Sequence, residues 1–318
     1  MSVYYQLKAI EDGKSKRSAS GLFEVTAEEA ARSKLPIVAA ITPEEFEDLG
    51  IDLNVLKRSP IALVHSESNY VDVYPDFIVG SISIPQKSCD APLAASFAFY
   101  LDDTKLLFVD DEEGAQDILS SAVSTGVVGD VTPAHCLYFF VKEFLINEYA
   151  ELGKFEDAME RHEEDMINGK ADLQPMKLME YRRCTMRFGV YYQQIAAIAT
   201  ELADNENKMM SKSDARSFAH ISTLAERLTS RAEMLKEYSL QLYEMQETHI
   251  DLKQNAIMQV FTIVTVLFAP LTLVTSWFGM NLHVLPGTEW GFMWVALIIA
   301  GLTSTGLLLW LFYRRKWL

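Results

Sequence analysis

Charge is what this sequence lacks toward its C-terminal end. After Lys253 only Glu289, Arg314, Arg315 and Lys316 are charged, although the 318 residues hold 28 Lys and Arg against 44 Asp and Glu. That segment carries +2, so residues 1–254 carry −18 of the net −16. An acidic soluble part excludes nucleic acid as a partner, because phosphate recognition needs a basic face. Cysteine is scarce: Cys89, Cys136 and Cys184 are scattered, with no CxxC or Cys/His cluster. Neither a disulfide framework nor a structural zinc site is indicated, and reduced thiols are expected. No Gly-rich phosphate loop and no nucleophile elbow is present. His65, His135, His162 and His220 assemble no catalytic constellation in sequence, so an enzyme is not expected. Residues 1–23 mix both charges without an apolar core, unlike a secretory or transit peptide.

The uncharged runs cover 35 positions at 254–288 and 24 at 290–313. A membrane helix needs about 20 such residues. The spans are read as 257–278 and 292–312, joined by an external loop at 279–291 and closed by a basic tail at 313–318. Arg314, Arg315 and Lys316 favour the cytoplasmic side, and two spans return the chain to its starting side. Both termini are therefore expected in the cytoplasm. Trp277, Trp290, Trp294, Trp310 and Tyr313 cluster near the span ends, where interfacial aromatics sit.

Residues 1–130 read as a cytoplasmic α/β domain, making the whole an α+β fold with membrane helices. Strand patterns fall at 3–9, 36–41, 61–64, 70–74, 77–84, 95–101 and 105–109, with short helices at 26–34 and 42–49. Thr132-Pro133 is an N-cap and N1 pair that opens a helical region over 131–254. Runs at 133–150, 151–168 and 175–205 lead to a single helix predicted from about 213 to 278. Such a helix is about 100 Å long at 1.5 Å per residue, and it needs partners along its sides. The run Glu156, Asp157, Glu160, Glu163, Glu164, Asp165 reads first as a solvated face and second as a divalent-cation surface.

On a helical projection of the first span, Asn255, Met258, Gln259, Thr262, Thr265, Ala269, Thr272 and Ser276 share about 140° of arc. Opposite them lie Ile257, Val260, Ile263, Val264, Leu267, Leu271 and Val274. A polar stripe on a membrane helix faces either water or another helix. The span holds no Asp or Glu, so no proton relay is visible within it. Pro270 removes one backbone donor at mid-span and predicts a mild kink.

Asn255 at the start of the span, Ala269-Pro270-Leu271-Thr272 within it, Phe278-Gly279-Met280-Asn281 at its outer end and the Arg314-Arg315-Lys316-Trp317-Leu318 tail together resemble the CorA family of magnesium channels. The close match covers residues 245–318; the rest agrees only in layout. The resemblance implies a homopentamer in the bacterial inner (plasma) membrane, with the first span lining a pore and the second packed outside. It implies Mg²⁺ uptake driven by membrane potential and gated by intracellular Mg²⁺. Mg²⁺ is then both cargo and regulatory ligand, with no other cofactor. Gly279, Met280 and Asn281 become the selectivity motif, where amide oxygens meet a hydrated ion that dehydrates reluctantly. Asn255, Met258, Thr262, Thr265 and Thr272 become the pore lining and gate, with Phe261 beside Met258 in an apolar constriction.

The loop departs from the family pattern. His283 is an addition, and Gly287-Thr288 displace the acid that attracts cations, leaving Glu289 in that role. A ring of His283 would favour a softer metal such as Zn²⁺, Co²⁺ or Ni²⁺. A family acidic sensor position falls near His220, which cannot serve. Asp110, Asp111, Glu112 and Glu113 form an acidic turn that stands in as the regulatory metal site. Two alternatives stay open: a Zn²⁺-type transporter of the same fold, and a membrane-anchored ion sensor that conducts nothing.

Overall fold

The computed structural model describes residues 2–10, 19–49, 69–86, 93–110, 115–116, 119, 132–168, 175–279 and 292–315. The chain divides into two compact units, Met1–Tyr243 and Glu244–Leu318.

The first unit is built on seven strands: β1 (Val3–Ile10), β2 (Ala19–Val25), β3 (Ile37–Ile41), β4 (Tyr70–Val73), β5 (Ile78–Pro85), β6 (Leu93–Leu101) and β7 (Lys105–Val109). Their order in the sheet is β2-β1-β3-β7-β6-β5-β4, with β3 and β7 parallel and every other neighbouring pair antiparallel. The β6–β7 turn is set by Asp102, whose Oδ1 accepts from the backbone N–H of Thr104 and of Lys105, both at 2.7 Å. Such a side chain mimics a backbone turn and fixes a tight hairpin. At Gly80 a Cβ would lie 2.6 Å from the Phe99 ring and from the Tyr70 carbonyl, so the β4–β5–β6 stack needs glycine there.

Short helices α1 (Ala27–Arg32) and α2 (Pro43–Asp48) start at capping threonines. Thr26 and Glu29 form a reciprocal capping box, and the Thr42 hydroxyl accepts from the Glu45 N–H. Ala30 and Phe46 of these helices pack on Ile37, Ala39, Ile41, Val79, Ala98, Tyr100, Leu107 and Val109. Alternation along the strands sends Val38, Ala40, Leu106 and Phe108 to the opposite face, where they are also buried. That face is covered by α3 (Pro133–Leu145) and α5 (Pro175–Asp204), with α4 (Glu148–Ile167) between them in sequence. Phe140 of α3 sits 4.0 Å from Phe108 and 5.2 Å from Phe97, ring centre to ring centre.

The last two helices are α6 (Lys212–Phe278, 67 residues) and α7 (Met293–Arg314, 22 residues). The single long helix expected from 213 to 278 is therefore present, and it runs through Pro270. Asn205 and Lys208 take left-handed backbone angles in the turn before it. Asn207 ties that turn to the sheet by donating to the Tyr74 carbonyl at 2.8 Å.

Two expectations are corrected. β2 carried too weak an alternation to be read, and it is an edge strand with Phe23 45% exposed. Cys184, buried on α5, is disulfide-bonded rather than reduced, since tertiary proximity of distant cysteines leaves no spacing signal. Cys136 is a buried free thiol, pushed up to about 12 by burial and then by Asp214, so it is unreactive. The strand expected at 61–64 lies outside the described residues.

Candidate functional site

In the second unit, none of the apolar window of α6 and only 11% of that of α7 is buried. Core helices of a soluble protein would be mostly buried, so these helices are solvated by something other than this chain. Leu302 and Leu273 are 69% and 71% exposed. At the end of α7 the Arg314 guanidinium lies over the Trp310 ring at 5.3 Å, an interfacial pairing of cation and aromatic.

The two helices meet along one face each. On α6 the covered positions are Ile263, Val266, Leu267, Pro270 and Val274, at helical spacing. On α7 they are Leu297, Gly301, Ser304, Thr305, Leu308 and Phe312. Gly301 allows a close approach: a Cβ there would lie 2.8 Å from Leu271 Cδ2. The polar stripe lies elsewhere on α6. Asn255, Met258, Gln259, Thr262, Thr265, Ala269, Thr272 and Ser276 are all exposed, so the stripe does not serve to bind α7. Met258 and Phe261 are 63% and 64% exposed on the same surface.

The hydroxyl geometry gives the stripe its chemistry. Thr262 donates to the Met258 carbonyl at 2.7 Å, Thr265 to Phe261 at 2.8 Å, and Thr272 to Phe268 at 2.9 Å. A hydroxyl has one hydrogen and two lone pairs. With the hydrogen held by the helix's own backbone, each threonine presents an oxygen that can only accept. Water bound to a cation turns its hydrogens outward, so a ladder of acceptors suits a hydrated cation and offers nothing to an anion.

Gly279 ends the helix, its N–H donating to Thr275 at 2.9 Å and to Ser276 at 3.2 Å. A Cβ would stand 3.2 Å from the Thr275 carbonyl, tighter than an ordinary contact. Met280, Asn281, His283 and Glu289 lie outside the described residues.

In the first unit only Asp110 of the acidic stretch is described. Asp110 is buried at 8% exposure and its carboxylate accepts from the Ala115 N–H at 2.6 Å; Asp111, Glu112 and Glu113 lie outside the described residues. The acidic face of α4 is partly committed to α6, where Arg231 donates to Glu156 and the Tyr238 hydroxyl to Glu163. Among the described residues no three His, Cys, Asp or Glu side chains form a metal-binding group.

The sequence reading missed a buried polar cluster. Asp214 is 3% exposed and accepts from Thr132 Oγ1 at 3.0 Å and Ser211 Oγ at 2.8 Å, with His135 Nδ1 3.1 Å away. Burial would raise its pKa, but the hydrogen bonds from His135, Ser211 and Thr132 hold it below the ordinary carboxyl value. Thr132 and Ser211 both cap helix starts; the Thr132 cap was legible in sequence, the second helix was read as opening at Ser213-Asp214, and no local signal shows that the two ends meet. Also missed was an open cavity of about 710 Å³ between α5 and α6, lined in part by Glu201, Asp204, Glu206 and Glu226.

A model of the family described as CorA-like Mg²⁺ transporter protein matches residues 42–314. The magnesium transport protein CorA of Escherichia coli K12 is 40% identical over 70 residues, which is 22% of each chain. The match thus spans about a fifth of the length of that relative. Among solved structures, the CorA magnesium transporter of Methanocaldococcus jannaschii superimposes with a TM-score of 0.80 at 18% identity, covering 100% of this chain and 99% of the other. The full-length CmaX protein gives 0.73 at 17% identity, covering 99% and 98%.

Proposed function

This chain belongs to the CorA-like Mg²⁺ transporter family, and from that premise we propose that it conducts Mg²⁺ across a membrane through a pore lined by α6. The carrying observation is the exposed ladder of acceptor oxygens at Thr262, Thr265 and Thr272, on a face that α7 leaves free. One copy cannot enclose a passage with one helix. Several copies, five by the family resemblance, put these faces around a common axis and leave the apolar sides of α6 and α7 to one another and to lipid.

The ion enters with its water. Gly279, Met280 and Asn281 form the outer mouth, where neutral amide oxygens accept from the ion's water shell and avoid the cost of stripping it. Glu289 in the adjoining loop concentrates cations there. The hydrated ion then passes the threonine oxygens to Asn255. Met258 and Phe261 form an apolar ring that stops ions by dewetting when it narrows. An inside-negative potential supplies the drive, about 4.6 kcal/mol for a divalent ion per 100 mV. A potential of that size needs no coupled proton, in keeping with the absence of any carboxyl group in residues 254–288.

The membrane is the bacterial inner (plasma) membrane, with both termini cytoplasmic. Feedback by intracellular Mg²⁺ acts through the acidic stretch Asp110, Asp111, Glu112 and Glu113, of which Asp110 also accepts from the Ala115 N–H.

The test is ion flux into liposomes containing the full chain. Asn281→Ala and the double variant Thr265→Val/Thr272→Val should each lower Mg²⁺ uptake at least tenfold while leaving insertion and assembly intact. Undiminished uptake in the threonine variant would remove the ladder from the pathway. Uptake of Zn²⁺ in preference to Mg²⁺ by the unaltered protein would favour the softer-metal alternative.

A further inference from the structure

We propose that Gly301 of α7 is a positioning residue for conduction: the notch it leaves seats the tip of Leu271, and that seat fixes the rotation of α6 that turns the threonine face away from α7. The inference deepens the pore reading and rests on it.

Two glycines of α7 have different surroundings. At Gly306 a Cβ would meet nothing within 4 Å, and the position is exposed. At Gly301 a Cβ would lie 2.8 Å from Leu271 Cδ2, closer than carbon atoms pack. Among the described residues of α7 only Gly301 and Phe312 are buried. Leu271 itself keeps 38% of its surface exposed, so its tip enters the notch while the rest of the side chain stays outside.

Such a notch matters more in hydrocarbon than in water. Lipid tails are as apolar as leucine, so hydrophobicity does not choose which side of α6 meets α7; fit chooses. Phe268 lies about 60° around the helix from Leu271 and is 61% exposed, an equally apolar face left unused. The gap of one missing Cβ admits a leucine methyl more readily than a phenyl ring. Thr272, Thr265 and Thr262 stand about 100°, 120° and 180° from Leu271 on the same projection. With Leu271 held, those hydroxyls are directed off α7. A turn of α6 that seated Phe268 instead would swing all three by about 60°.

The test uses the full chain in liposomes. It reads Mg²⁺ uptake together with the rate at which a water-soluble thiol reagent modifies Thr265→Cys, a readout that needs no flux. Gly301→Leu should lower uptake about tenfold and slow the modification by a similar factor. Gly306→Leu, the same addition where there is room for it, should change neither. Adding Leu271→Ala to Gly301→Leu should bring both readouts back toward the unaltered values. If Gly301→Leu fails to assemble, Gly301→Ala carries the same test with an effect of about threefold, absent at Gly306→Ala. Unchanged uptake in the Gly301 variants, equal losses at the two glycines, or a loss that Leu271→Ala does not relieve overturns the inference. Failure of the pore reading looks different: Thr265→Val/Thr272→Val then conducts normally, whereas a failure confined to the Gly301 series leaves that reading standing.

Discussion

The two halves of α6 differ in what their side chains meet. Up to Tyr243 the helix is half covered: Phe218, Ile221, Ala225, Leu228, Ala232, Leu235 and Leu242 are buried, and its polar groups reach other elements. Asp214 meets His135 and Thr132 of the α3 start, while Arg231 and Tyr238 reach Glu156 and Glu163 of α4. Hydroxyls bond back to their own backbone in both halves, at Ser217, Thr223, Thr229 and Ser230 as at Thr262, Thr265 and Thr272, so what sets the first half apart is its charged groups and Tyr238 reaching other elements. In water a polar side chain loses little by binding a distant partner. In hydrocarbon an unsatisfied donor is costly, so the threonine hydroxyls spend their hydrogens on the helix and turn acceptor oxygens outward. The inward turn of the Thr262, Thr265 and Thr272 hydrogens leaves the acceptor surface on which the proposed pathway rests.

The largest effect should come from apolar truncation, and it should differ between the units. Phe140 is fully buried against Phe97, Phe108 and Phe144, so Phe140→Ala should cost about 3–5 kcal/mol of stability. Leu302, 69% exposed on α7, should cost less than about 1 kcal/mol as Leu302→Ala, because lipid tails are as apolar as the side chain removed. Both are read from unfolding of the full chain in detergent. Equal losses at the two sites would mean that Leu302 is covered, and that the exposed face of α7 is an assembly surface.

Next in size is the buried carboxylate of the first unit. Asp214→Asn should cost about 1.5–3 kcal/mol at neutral pH by replacing charged hydrogen bonds with neutral ones. The folded pKa of Asp214 lies below its unfolded value. Its contribution is therefore complete above the unfolded pKa and is lost as pH falls through the folded one. The gap between the unaltered protein and Asp214→Asn should be flat above about pH 5 and close below about pH 4. A gap that persists in acid would assign the loss to packing.

How much of this the sequence revealed depends on the range of the signal. Thr132-Pro133 and Thr42-Pro43 announced their helices because capping is local, and the threonine stripe was legible because helical periodicity is. The two helices of the second unit were thus legible from their uncharged runs. The meeting of Asp214 with His135, the disulfide at Cys184 and the commitment of Glu156 and Glu163 to α6 involve partners tens of residues away. No spacing encodes those contacts. The direction of the threonine hydrogens was equally hidden, since composition gives the hydroxyl but not its rotamer.

The smallest effect tests whether the acidic groove between α5 and α6 is strained by its own charge. Burial first, then repulsion from Asp72, Glu206 and Asp204, raises the pKa of Glu201. A carboxyl whose folded pKa lies above its unfolded value opposes folding once it is ionised, and opposes nothing when both states are protonated. Glu201→Gln should therefore raise the melting temperature slightly at neutral pH, and the gain should vanish below about pH 4. Added Mg²⁺ should reproduce part of the gain in the unaltered protein by screening the same repulsion, and should add less in Glu201→Gln. If Glu201→Gln is instead destabilising at pH 7, the carboxylate has a partner whose attraction outweighs its neighbours, and the groove belongs with the paired polar groups of the first unit.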